Sequence, residues 1–89
     1  MTYSVKLKKS AEKELDSLPE KIRDKIVSVL LALKDHPFPP GIKKLHGREG
    51  YRIRVGNYRI LYTVDKSARE IEIYSVAGRK DVYRLKNKN

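Results

Sequence analysis

Residues 51–62 read YRIRVGNYRILY. Two alternating runs of β-forming residues flank Gly56-Asn57, which predicts a hairpin closed by a two-residue turn. Such a turn fixes the register: Val55 opposite Tyr58, Arg54 opposite Arg59, Ile53 opposite Ile60, and Arg52 opposite Leu61. Opposed residues of an antiparallel pair point to the same side of a sheet. Ile53, Val55, Tyr58, Ile60 and Tyr62 therefore share a face suited to a core, and Arg52, Arg54 and Arg59 share the other. Setting Arg54 against Arg59 is unfavourable by a few tenths to about 1 kcal/mol unless an anion relieves it. A solvated sheet face is polar by default and accommodates one arginine readily. Three converging arginines fit an anion site better.

The remaining elements follow outward from the hairpin. Tyr3, Val5 and Leu7 alternate with Ser4 and Lys6, which predicts a strand over 3–7. Ser10 is the expected cap of a short helix carrying Ala11, Leu15 and Leu18 at helical spacing. Pro19 suits the first turn of a second helix, where its missing N–H costs nothing. Ile22, Ile26, Val29, Leu30 and Leu33 form that helix's apolar stripe, a core-facing pattern. It must end near Asp35, because His36 precedes Pro37. HPFPPG at 36–41 is a turn-rich connector, and DKSAR at 65–69 separates strands expected at 58–64 and 70–77. The predicted class is α+β, in the order β-αα-βββ. A helical hairpin packs on one face of a small, mostly antiparallel sheet, all within one domain over residues 1–89.

Twenty-one basic against eleven acidic residues leave a net charge of +10. That excess favours a polyanionic partner: nucleic acid, an anionic membrane or an acidic protein. An apolar fraction of 39% supports one modest core, and a chain this short buries only about 60 to 65% of its unfolded surface. The run IVSVLLAL at 26–33 is too short to span a bilayer, and MTYSVKLKK lacks a signal-peptide apolar region. The expected location is therefore the cytoplasm, without a membrane partner. The chain has no cysteine, which rules out disulfides and thiolate metal sites. Its two histidines, His36 and His46, fall on loops without metal-ligand spacing. No acidic cluster, Ser/His/Asp arrangement or Gly-rich phosphate loop is present. Neither metal nor cofactor is expected.

Beyond the hairpin, Arg79 and Lys80 follow the last strand, and Tyr83 lies four residues after Arg79. A tyrosine there either packs the C-terminus or stacks on a base, with the arginines holding phosphates.

Three stretches, KLHG at 44–47, YRIRVGNYRILYTVD at 51–65 and SVAGRKDVYR at 75–84, together with the element order, resemble the RelE/ParE superfamily of toxins, specifically its RelE branch. The resemblance implies the RelE-like fold and a metal-independent, ribosome-dependent endoribonuclease that cuts mRNA in the ribosomal A site. It implies catalytic roles for Arg52, Arg54, Arg59, Arg79 and Tyr83: the arginines stabilise the phosphate or protonate the leaving group, and the tyrosine stacks on the nucleotide. Lys43, Lys44, His46, Lys80 and Arg84 are then expected to contact messenger or ribosome. The implied partners are a small RelB-like antitoxin, the ribosome and mRNA, with a free monomer and a hetero-oligomer on antitoxin binding. Arginine departs from the lysines of well-known members and is a poor general base. Gly78 stands where many relatives carry histidine or another basic residue. A ParE-like inhibitor of DNA gyrase, or a degenerate homologue that binds without cutting, is the alternative implied by the same fold.

Overall fold

A computed structural model of the chain describes residues 2–78. Seven elements follow in order: β1 (Ser4–Leu7), α1 (Lys9–Asp16), α2 (Glu20–Leu33), β2 (Lys43–Lys44), β3 (Tyr51–Val55), β4 (Tyr58–Asp65) and β5 (Glu70–Gly78). The sheet order is β1-β5-β4-β3-β2. Only β1 runs parallel to its neighbour, with Ser4 against Glu70 and Leu7 against Ile73. The expected α+β class and the helical pair packed on a largely antiparallel sheet are present, with β2 added at the far edge.

Pattern and burial agree for the core. Ala11, Leu15 and Leu18 of the α1 region and Ile26, Leu30 and Leu33 of α2 are buried against Ile60, Tyr62, Ile71, Ile73 and Val76 of the sheet. Ile22 and Val29 complete the α2 stripe at the margin of this cluster. Burial of each large aliphatic side chain contributes about 1.5–3 kcal/mol.

Two helix starts differ from expectation, and both shifts are imposed by neighbours. Ser10 does not cap α1: the helix begins at Lys9 after Lys8, and no side chain caps it. The Lys8 N–H donates to the Ile73 carbonyl at 2.9 Å, while its own carbonyl accepts from Glu12. Pairing with β5 thus runs to the threshold of the helix and leaves no room for a later start. Pro19 sits one position before α2, in extended geometry, and its carbonyl accepts the Arg23 N–H.

The β3–β4 register is the expected one, from Val55 opposite Tyr58 through Arg54 opposite Arg59 to Tyr51 opposite Tyr62. Gly56 has φ +61° whereas Asn57 is not in the left-handed region, a combination that defines a type II′ turn. The β4–β5 ladder is less regular. Leu61 pairs with Ser75 but Tyr62 pairs with Ile73, leaving Tyr74 as an extra residue in a bulge. The bulge reverses the inward phase of β5: Ile71 and Ile73 are buried before it, Val76 after it. Past Ile73, β1 no longer accompanies β5, and α1 takes over. The Glu14 carboxylate accepts the Val76 backbone N–H at 2.9 Å.

The connector is pinned by aromatic side chains. Tyr62 donates its hydroxyl hydrogen bond to the Pro37 carbonyl at 2.9 Å. Tyr51 lies between Phe38 and Tyr62, with ring centroids 5.3 and 5.9 Å away. Burial, with a smaller contribution from Tyr51, pushes the Tyr62 phenol up to about 12. These contacts deliver the chain after Gly41 to the edge of β3, where β2 pairs Lys43 with Arg52 and Lys44 with Tyr51.

Candidate nucleic-acid interface

The face of the sheet away from the helices carries two opposite fields. Toward the hairpin turn, Arg54 opposes Arg59 and Lys43 opposes Arg52. Because ladder partners point to one side, and Arg52 and Arg54 are two residues apart on one strand, all four cations converge. Arg54 and Lys43 are exposed, Arg52 and Arg59 half-buried. Among the described residues none of the four has a carboxylate within ion-pair distance. A cleft of about 350 Å³ runs between Pro40, Gly41, Lys43, Arg52 and Arg54. A smaller one, at the turn, is lined by Arg54, Gly56, Asn57 and Arg59.

The other end is acidic. Thr63 opposes Glu72, and Asp65 opposes Glu70. Glu49 and Lys66 join them around a hollow of about 430 Å³. Lys6 bridges to Glu70 at 3.0 Å, and this hydrogen bond holds its ammonium pKa above the ordinary lysine value. Among the described residues, no group of three or more histidines and carboxylates is arranged to hold a metal ion.

The expected site residues are thus placed unequally. Arg52, Arg54, Arg59 and Lys43 come together. Lys44 opposes Tyr51, so it belongs to the helix side of the sheet rather than to the arginine face. His46 is exposed in the turn closed by the Leu45 N–H donating to the Gly50 carbonyl at 3.0 Å. Arg79, Lys80, Tyr83 and Arg84 lie outside the described residues.

Two residues not foreseen as candidates sit on the same face. Arg48 lies over the Tyr74 ring, its guanidinium carbon 4.8 Å from the centroid. Tyr74 was legible as outward-facing, since Ile71 and Ile73 alternate inward; Arg48, in an aperiodic turn, carried no such signal. Gly50, at φ +123°, is what allows the close fit: a β-carbon there would lie 2.7 Å from the Tyr62 carbonyl oxygen and 3.2 Å from the Tyr74 hydroxyl.

This helix-backed sheet with a cationic outer face has known counterparts. The sequence model of the family described as ParE toxin of type II toxin-antitoxin system, parDE, matches residues 5–83. The chain is 33% identical to the RelE1 protein of Methanocaldococcus jannaschii over 88 residues, covering 94% of this chain and 98% of that one. It is 32% identical to toxin RelE of Mycobacterium tuberculosis over 85 residues, covering 93% and 88% respectively. The structure is similar to a chain of the archaeal RelE-RelB complex from Pyrococcus horikoshii OT3. There the TM-score is 0.80 at 33% identity, with 89% of this chain and 97% of that chain covered. The chain belongs to the RelE/ParE family of toxins of type II toxin–antitoxin systems.

Proposed function

We propose that this toxin is a ribosome-dependent endoribonuclease acting on mRNA in the cytoplasm. The observation that carries the reading is the convergence of Lys43, Arg52, Arg54 and Arg59 on one open sheet face, without a carboxylate partner among the described residues. Such a face is built for a phosphodiester. The 2′-hydroxyl attacks the adjacent phosphorus, forming the 2′-O–P bond and losing its proton. The P–O5′ bond breaks and the leaving oxygen takes up a proton, giving a 2′,3′-cyclic phosphate and a free 5′-hydroxyl. The arginines stabilise the negative charge that grows on the phosphorane, usually the largest catalytic contribution. A guanidinium is a poor general base. Alignment of the 2′-oxygen by the ribosome offsets that deficit.

The similarity to a chain of a RelE-RelB complex supports a small antitoxin as partner. An acidic one would neutralise the +10 charge and cover the arginine face. The test is translation in vitro, following message integrity with and without ribosomes. The wild type cuts only with ribosomes, and Arg59→Ala cuts at least a hundredfold more slowly while keeping its fold. Message left intact by folded wild-type protein overturns the reading. The matching family model is named for ParE, so gyrase supercoiling is assayed in parallel; inhibition there without cleavage establishes the gyrase alternative.

A further inference from the structure

Resting on the RNA reading above, we propose that Arg48, laid on Tyr74, is a stacking platform for a nucleobase next to the phosphate held by the arginines. The Tyr74 ring is fixed from beneath. Its hydroxyl is buried beside Gly50 and Thr63, with no hydrogen-bond partner. The ring is half-buried while Arg48 above it is exposed, so the guanidinium is covered by the ring on one side and open to solvent on the other. A guanidinium held over an aromatic ring offers its outer side to an unpaired base, which can stack on it.

Position and charge favour a base over a phosphate. Tyr74 bulges between the level of Leu61 and that of Tyr62, two to three residues along the sheet from Arg59, or about 7–10 Å. Beyond it the face turns net acidic, with Glu49, Asp65, Glu70 and Glu72 against Lys6 and Lys66 around the hollow. A phosphate is repelled from that end, whereas a neutral base is not. A single strand that places a phosphate between Arg54 and Arg59 therefore directs a neighbouring base onto Arg48.

The test uses the full chain and two probes of equal charge, a 2′-O-methyl hexaadenylate that resists cleavage and its abasic counterpart, followed by fluorescence anisotropy. The wild type binds the base-bearing oligomer about tenfold more tightly than the abasic one. Arg48→Ala and Tyr74→Leu lower that ratio severalfold. Tyr74→Phe, which keeps the ring and removes only an unpartnered hydroxyl, preserves it. Arg59→Ala weakens both oligomers and leaves the ratio unchanged. A wild-type ratio near one, or equal weakening of both oligomers by Arg48→Ala, overturns the platform while leaving RNA binding in place. Failure of the wild type to bind either oligomer overturns the platform, whereas the RNA reading stands or falls separately on message cleavage in translation.

Discussion

Tyr62 ties the core, the connector and the sheet together. Its ring fills the core, its hydroxyl holds the connector at Pro37, and its ladder partner Tyr51 pairs in turn with Lys44 of β2. The inward phase of its ring was readable from alternation, but its hydrogen bond spans 25 residues and leaves no local trace. The phenol also predicts a pH response. Its value is raised from 10.0 to about 12 in the folded protein, so the folded state keeps a proton that the unfolded chain releases. The stabilisation is complete below pH 10 and is lost as pH rises from there through about 12. In urea titrations across that range, wild-type stability should fall more steeply than that of Tyr62→Phe, by up to about 1.4 kcal/mol per pH unit. At neutral pH the same variant should lose about 1 kcal/mol, from the missing hydrogen bond. Parallel pH profiles for the two proteins would refute the assignment.

Among the elements, legibility tracked the distance over which each was determined. The β3–β4 hairpin was readable to the residue because period-two patterning and a glycine-led turn act within a dozen positions. β2 was not, because two lysines carry no strand signal of their own and are ordered by β3. Nor was the start of α1, which depends on Lys8 reaching Ile73 across the sheet. The β5 bulge was equally hidden, although it sets which way Ser75 to Gly78 point. Where β5 loses its neighbour β1, a helix side chain replaces a strand, and Glu14 satisfies the Val76 N–H. Glu14→Ala should therefore destabilise the fold by about 1.5–3 kcal/mol, the range for a hydrogen bond to a charged group. Glu14→Gln, which retains an acceptor oxygen, should cost less. Equal midpoints for the wild type and Glu14→Ala in urea would show that the contact contributes nothing.

For the whole molecule, the arrangement of charge matters more than its total. Composition disclosed an excess of ten positive charges, and the hairpin register located three of them. The division of the outer face into cationic and acidic ends emerged only from the way β2, the bulge and the 65–69 turn assemble in space. Four convergent cations predict a logarithmic salt slope near −3 for single-stranded RNA binding, at about 0.7 per neutralised phosphate. Arg52→Ala, Arg54→Ala and Arg59→Ala should each reduce that slope by about 0.7. An affinity indifferent to salt would remove the electrostatic basis of the interface.

The parallel pairing of β1 with β5 also bears on when this toxin becomes harmful. Ser4 waits for Glu70, 70 − 4 = 66 positions later, so during synthesis the first strand emerges long before its neighbour β5. Until then the hairpin's arginines have only part of a scaffold, since Ile71, Ile73 and Val76 of the core arrive with the last strand. Closing contacts so distant along a chain is slow. Nascent chains arrested before Glu70 should be digested readily by protease, whereas released full-length chains resist. The order in which the strands are made thus delays completion of the arginine scaffold until the last strand has been synthesised.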